Sequence, residues 1–288
     1  MKFYPSSFVF FCLALSSVFM VFSSNNWFIL WVGLELPLLG FIPMFSLEKA
    51  SMEGMAKYFL VQAMGSSMFL AFSLSVFADY MNCIFMIFGM LIKLGLFPFF
   101  QWVPSVMSSL TWVGCLFLLT IQKLGPLGLV VLCSSGPETM MIILVSGTMS
   151  MLAGGMLGFN QVLMKPLMAY SSVVHTGWIL NSSLLSHMLT GLYVLAYFCL
   201  SIMLFLVLSK NKMLSVVQRS DYTKNLWLVS VLLLGMTGLP PSPIFIPKVL
   251  LMWGLIGYPV VIVTMVLSTC VTIYFYFNSV IPNLTKNQ

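Results

Sequence analysis

Five side chains able to carry a proton lie inside stretches apolar enough for a lipid bilayer: Glu35, Lys93, Lys123, His175 and Lys248. A lysine at the centre of a membrane helix costs about 2.5 to 3.5 kcal/mol on translocon scales, so each asks for a compensating role. Buried ions are tolerated with a partner, a file of water or a change of protonation. A low-dielectric surround disfavours the ammonium form of a lysine and a neighbouring carboxylate favours it. A Glu/Lys pair whose spacing or hydration changes can therefore release and recapture a proton. Several such sites joined by water would relay protons laterally through the membrane, and this is the chemistry the five residues suggest.

Each residue also has a plainer reading. Buried charges can simply pair with one another or snorkel to an interface. For Glu35 and Lys123, near the centres of apolar segments, and for Lys248, beside a helix break, the functional reading is preferred. Lys57 opens a segment and reads as an interface anchor. His175, in Ala169-Tyr-Ser-Ser-Val-Val-His175-Thr-Gly-Trp178, shares a helix stripe with Ser171 and Ser172. A histidine as a side-chain type can change charge near neutral pH, which suits a relay, and it equally suits a neutral hydrogen bond between helices. His187 falls at a segment junction and reads as solvated.

The residues that must position these groups are unusual for a membrane. Leu91-Ile-Lys-Leu-Gly-Leu-Phe-Pro-Phe-Phe-Gln-Trp-Val-Pro104 places Gly95, Pro98 and Pro104 directly after a lysine. Glycine and proline break helix hydrogen bonding at a depth where freed backbone groups need protein or water. A broken helix beside a buried cation points to an ion path.

Composition sets the class. Of 288 residues, 60% are hydrophobic and 6% charged, with a mean hydropathy of +1.07, whereas soluble domains carry about 25% charged residues. The reading is an all-α, polytopic membrane protein without an aqueous domain. The net charge of +6 is thinly spread, and membrane topology accounts for it better than nucleic-acid binding does. The six cysteines (Cys12, Cys83, Cys115, Cys133, Cys199 and Cys270) are scattered singly without metal-ligand spacing, so they read as packing residues. The 24 methionines read as apolar filler, and their number hints at a mitochondrial genetic code. No phosphate loop, dinucleotide fingerprint or nucleophilic triad is present, and Gly154-Gly155 suits close helix packing.

About 20 apolar residues cross a bilayer, and on that ruler ten segments are expected at 3–22, 26–46, 56–78, 81–99, 106–133, 138–159, 166–186, 188–209, 225–255 and 258–279. The first could pass for a signal peptide, but no cleavage-like site follows and it reads as a retained span. Segments four, five and nine are irregular: the fourth runs into Pro98, the fifth carries Gly125-Pro126 past its lysine, and the ninth contains Gly238-Leu-Pro-Pro241. Ten crossings put Lys2, Lys49, Lys57, Lys165, Lys210, Lys212, Arg219, Lys224 and Lys286 on the face carrying both termini, and Asp79, Glu138 and His187 on the other. By the positive-inside rule, both termini are expected on the matrix or cytoplasmic side.

Gly95-Leu-Phe-Pro98 followed by Pro104 aligns without gaps with Gly238-Leu-Pro-Pro241 followed by Pro247. The two breaks fall five segments apart, which predicts two inverted five-helix repeats with discontinuous helices, at 1–135 and 136–288.

Taken together, Trp31-Val-Gly-Leu-Glu35, Lys57-Tyr-Phe-Leu-Val-Gln62, Lys93-Leu-Gly-Leu-Phe-Pro-Phe-Phe-Gln-Trp-Val-Pro104, Gln122-Lys-Leu-Gly-Pro126, Met168-Ala-Tyr-Ser-Ser-Val-Val-His-Thr-Gly-Trp178 and Gly238-Leu-Pro-Pro241 with Lys248 resemble the subunit 2 family of NADH dehydrogenase. These are antiporter-like membrane subunits of mitochondrial respiratory complex I, and the resemblance covers nearly the whole chain. It implies a proton-translocating role in which Glu35 and Lys93 form the coupled pair of the first half. Lys123 would be the central relay lysine and Lys248 the corresponding group of the second half. It also implies the inner mitochondrial membrane, with the other hydrophobic membrane-arm subunits as partners. No cofactor is expected in this chain: NADH, FMN, the iron–sulfur clusters and the ubiquinone site would belong to partner subunits.

The sequence departs from the family pattern. On the count of ten segments, it is expected to be without the three leading helices of bacterial relatives and a final helix. Phe100 stands where the family usually has His, and Ser105 where it usually has Glu, so a proton path through either position is not expected. Two rival readings stay open: a subunit of a multisubunit cation/proton antiporter using the same lysines, and a scaffold that fills the membrane arm without pumping.

Overall fold

The computed structural model describes residues 5–47, 51–74, 79–134, 136–211, 215 and 226–284. Lys2, Lys49, Lys212, Arg219, Lys224 and Lys286, six of the residues behind the expected topology, lie outside the described residues. So does most of the loop that carries three of them.

The described residues form thirteen helices: α1 (Pro5–Ser23), α2 (Trp27–Leu47), α3 (Met52–Ser73), α4 (Asp79–Leu94), α5 (Trp102–Ser109), α6 (Trp112–Leu119), α7 (Ile121–Cys133), α8 (Pro137–Gly158), α9 (Met164–Ser183), α10 (His187–Asn211), α11 (Leu226–Thr237), α12 (Phe245–Gly254) and α13 (Pro259–Leu284). Among the described residues, four helical stretches are long and apolar enough to cross a membrane, at Trp112–Cys133, Pro137–Gly158, His187–Asn211 and Pro259–Ile281. The chain divides into two compact units, Met1–Ile143 and Leu144–Gln288.

In the first unit, small residues set the spacing between helices. A Cβ on Gly33 would stand 2.8 Å from a Val21 methyl, and one on Gly40 would stand 3.0 Å from the Phe10 carbonyl. These glycines are seven residues apart, on one face of α2, and they let α1 close against it. Gly65 and Gly89 do the same where α3 crosses α4. A Cβ on Gly65 would meet the Gly89 carbonyl at 2.8 Å and Lys93 Cγ at 2.7 Å. The buried face of α3 runs Tyr58, Gln62, Gly65, Ser66, Phe69, which is helical spacing. It therefore brings two polar side chains against the end of α4.

That end is set by Gly95. Its φ of +66° is accessible to glycine at low cost. The Gly95 N–H donates to Ile92 O at 3.1 Å and the Leu96 N–H to Leu91 O at 3.0 Å, the paired bonds of a Schellman cap. The fourth helix thus stops at Leu94 rather than running to 99, because the glycine and not Pro98 ends it. The chain restarts as α5, with Pro104 in the first turn, where no N–H is needed.

The fifth expected segment also differs. It begins at Trp112 rather than 106, after an extended Leu110 (ψ 160°) and a cap in which Thr111 Oγ1 accepts the Gly114 N–H at 3.3 Å. Its irregularity lies at Thr120 (φ −112°, ψ −83°), before Lys123, and Pro126 sits inside α7. A proline ring presses on the carbonyl four residues earlier, here that of Gln122, so the break at Thr120 lies beyond its direct reach, and Gly125-Pro126 does not interrupt the helix.

In the second unit, α9 is buried almost all round although it carries Ser171, Ser172, His175, Thr176, Asn181, Ser182 and Ser183. Gly147 and Gly177 bring α8 within contact of it: a Cβ on Gly177 would stand 2.7 Å from the Gly147 carbonyl. The buried face of α10 runs Thr190, Tyr193, Tyr197, Ser201, Leu204, Leu208, and its other face exposes Met188, Leu192, Leu195 and Met203. α11 ends at Gly238 (φ +83°), whose N–H donates to Gly235 O at 3.3 Å. α12 then starts with Pro247 as its third residue, as α5 does with Pro104.

These close crossings predict that Gly65→Ala overpacks the α3–α4 contact and costs roughly 1–3 kcal/mol. Gly191→Ala, where nothing lies within 4 Å, should be neutral. Thermal exposure of the buried thiols of Cys115 and Cys133, followed with a thiol-reactive dye on the full chain in detergent, measures both. Equal midpoints for the two variants would contradict the packing account.

Candidate functional site

In the first unit the structure brings Lys93 and Glu35 together. Lys93 is the penultimate residue of α4, 5% exposed, and its Nζ lies 3.8 Å from Glu35 Oε1. The ammonium donates to the Leu34 carbonyl of α2 at 3.1 Å. Pro37 has already removed one rung from the helix ladder there, at the Gly33 carbonyl. Glu35 Oε1 is buried and accepts no hydrogen bond. The pair is thus an ion pair at the far limit of contact, with room for a change of spacing or hydration.

Side chains add to the bonds of the Schellman cap, one at a carbonyl the cap leaves open and one at a carbonyl that already accepts the Gly95 N–H. Gln62 Nε2 donates to the Lys93 carbonyl at 3.2 Å and Trp102 Nε1 to the Ile92 carbonyl at 3.0 Å. Beside Lys93 opens a cavity of about 10 Å³, space for roughly one water. Ser17, Tyr58, Gln62, Gln122, Gly125 and Pro126 help line it. Polar groups therefore reach from Lys93 to the first turn of α7, where Lys123 is 4% exposed and its N–H donates to Thr120 O at 3.1 Å.

In the second unit, Lys248 is 4% exposed on α12. Its Nζ donates at 2.8 Å to the carbonyl of Thr237, the last residue of α11, and lies 5.1 Å from the centre of the Trp178 ring. Gly238 has a second reason to be glycine, since a Cβ there would stand 2.9 Å from Lys248 Cδ. His175, 1% exposed, places Nδ1 3.2 Å from the Tyr193 hydroxyl and its ring 4.9 Å from that of Tyr197. Buried polar atoms without a hydrogen-bond partner cluster on and near α9: Trp178 Nε1, both amide atoms of Asn181, and the Tyr276 hydroxyl.

Sequence reasoning gave no role to Tyr58 and Gln62, which stood in a motif, and passed over Tyr193 and Tyr197. The usable signal was a polar pair at i, i+4 in an apolar helix, Tyr58/Gln62 on α3 and Tyr193/Tyr197 on α10, which marks an inward face. Trp178 stood in a motif, but without a helix register its ring could not be aimed. Lys57 pairs with Glu53 at 2.5 Å on an exposed helix start, and His187 opens α10. Among the described residues, no three His, Cys, Asp or Glu side chains converge in a metal-binding group.

Comparison with known proteins places this arrangement. The sequence profile described as "NADH:quinone oxidoreductase/Mrp antiporter, TM" matches residues 72–273. The chain is 32% identical over 270 residues to NADH-ubiquinone oxidoreductase chain 2 of Locusta migratoria, covering 88% of this chain and 78% of that one. Its fold resembles a chain of respiratory complex I from Thermus thermophilus with a TM-score of 0.86 at 22% identity, over 96% of this chain and 70% of that one. A chain of the Mrp complex from Dietzia sp. DQ12-45-1b gives a TM-score of 0.81 at 15% identity, over 92% and 58%. A lysine buried at each of two glycine-terminated helix ends is thus set in an antiporter-like membrane fold, and the chain belongs to the NADH:quinone oxidoreductase/Mrp antiporter transmembrane family.

Proposed function

We propose that this chain is a core membrane subunit of the proton-pumping NADH:ubiquinone oxidoreductase, and that it relays protons through Glu35, Lys93, Lys123, His175 and Lys248. Electron transfer from NADH to quinone would take place in partner subunits, which would also hold FMN, the iron–sulfur clusters and ubiquinone. The observation that carries the reading is the Lys93–Glu35 pair at 3.8 Å, beside a small cavity, lined in part by polar side chains, that reaches the helix bearing Lys123. Identity to chain 2 of the insect enzyme supports the assignment to that complex.

The mechanism follows from charge and hydration. With Glu35 ionised, the Lys93 ammonium keeps its counter-charge and stays anchored on the Leu34 carbonyl. Neutralising the carboxylate, or widening the pair, leaves that ammonium uncompensated in an apolar surround, and it releases a proton to water in the adjoining cavity. Tyr58, Gln62 and Gln122 offer donors and acceptors along the way to Lys123. In the second unit Lys248 is the corresponding carrier, with the His175–Tyr193 pair as a further one.

The membrane arrangement we propose has ten crossings in two inverted five-helix repeats, α4 with α5 and α11 with α12 forming the discontinuous members. It lies in the inner mitochondrial membrane among other membrane-arm subunits, with buried water along the relay, lipid around it and both termini on the matrix side. Lys57, Lys165 and Lys210 mark that side. A second reading, a subunit of a cation/proton antiporter, draws on the similarity to the Mrp complex, but that similarity concerns fold at 15% identity.

Three measurements test the reading. On a native gel of mildly solubilised source membranes stained for NADH oxidation, peptides of this chain should fall in the large active band; a smaller inactive assembly would put the antiporter first. Lys123→Ala in the assembled complex should lower proton pumping on the order of a hundredfold, and unchanged pumping at normal assembly would establish a scaffold. Glu35→Gln and Lys93→Ala should each impair pumping, and the double variant should be little worse than either single, since residues in one ion pair do not act additively. Fully additive losses would show that the two groups work separately.

A further inference from the structure

The two buried lysines nearest the helix breaks have different electrostatic company. Lys93 has a carboxylate on α2. Lys248 has, among the described residues, no carboxylate within 4 Å; it has one backbone carbonyl and the Trp178 ring. Trp178 is fully buried, and its ring stacks at 17° on Tyr193, 6.4 Å between centres, the same tyrosine whose hydroxyl meets His175.

A carbonyl answers one of the three N–H donors of an ammonium and carries no net charge. The face of an indole is the strongest aromatic partner for a cation, and its attraction grows when both are removed from water. Both conditions hold at Lys248. Its stem is also confined, with Gly238 leaving just the space its Cδ, Cε and Nζ occupy. An uncharged amine loses the attraction to the ring, so the indole acts on the protonated state in particular.

We propose that Trp178 is a positioning residue for Lys248: its π face holds the ammonium against the end of α11, taking in the second unit the part that the Glu35 carboxylate takes in the first. This rests on the reading of Lys248 as a relay group. A neutral partner suits a site that must give its proton up, because no counter-ion has to be neutralised first. The stacking on Tyr193 fixes the ring plane and links the lysine to the His175 pair through packed aromatic side chains.

The test combines a double-mutant cycle with pumping. Trp178→Leu, Trp178→Phe, Lys248→Gln and Trp178→Leu/Lys248→Gln are prepared in the full chain in lipid nanodiscs for thermal melts and in the assembled complex for proton pumping. The expected melts show coupling: the double variant loses clearly less than the sum of the single midpoint shifts. Pumping should fall severalfold in Trp178→Leu and be largely restored in Trp178→Phe, which keeps a π face. Additive melting shifts would overturn the proposal whatever the pumping data show. Coupled melts with undiminished pumping in Trp178→Leu would reduce the contact to packing and overturn it as well. Normal pumping in Lys248→Gln would instead remove the relay reading, while the melts still decide whether the ring holds the lysine. Should Trp178→Leu fail to fold, the cycle is run with Trp178→Phe, where a smaller but non-zero coupling is expected and strict additivity would sink the idea.

Discussion

Ending a helix inside an apolar interior leaves carbonyls that water cannot reach, and that constraint shapes both units. Helix termini expose up to four such groups, and in a bilayer each must be answered from within the protein. At α4 the glycine cap answers two, and Gln62 and Trp102 donate to the Lys93 and Ile92 carbonyls. At α11 the Lys248 ammonium answers the Thr237 carbonyl directly. The glycines at positive φ, the small-residue crossing that carries Gln62 into reach, and the restart of the chain at α5 and α12 all follow from making these two ends tolerable.

The same constraint explains why cations sit there. A free carbonyl dipole is a ready partner for an ammonium, so a broken helix lowers the cost of burying one. The two units use this differently. Lys93 lies before its break and reaches across to α2, where proline has already loosened the ladder and Glu35 supplies charge. Lys248 lies after its break and reaches back to the end it follows, with an uncharged aromatic face in place of a carboxylate. Equivalent sequence signals thus give unequal electrostatics, and the difference comes from the neighbouring helix rather than from the break itself.

Much of this was legible in the sequence because the deciding residues are strong local punctuators. Gly95 and Gly238, each nine residues before a proline, announced both breaks, and the cost of Lys93, Lys123 and Lys248 in apolar surroundings singled them out. The failures have physical causes. The fourth segment was expected to run on to 99 although Gly95 already stood among its breakers, and the fifth is irregular at Thr120, which has no breaker signature of its own, rather than at Gly125-Pro126. The inward faces of α3 and α10 were missed because in a membrane both faces of a helix are apolar. Hydropathy then says little about which side is buried, and only the i, i+4 polar pairs Tyr58/Gln62 and Tyr193/Tyr197 carried that information.

A relay built on helix ends has a consequence for coupling. The proton on Lys248 is also a donor in the bond that satisfies the Thr237 carbonyl, and the proton on Lys93 is a donor to the Leu34 carbonyl. Each deprotonation removes charge from a hydrogen bond that helps hold irregular backbone in an apolar surround, where charge-assisted bonds are the strong ones. Protonation state and local backbone stability are therefore linked at these two places more tightly than at a lysine paired only with side chains. A change in charge at Lys248 is felt first by the end of α11, and one at Lys93 by the α2 backbone at Leu34. Because the Lys93 stem also lies against Gly65 of α3, where a Cβ would stand 2.7 Å from its Cγ, a movement of that side chain meets α3 at an interface with no slack.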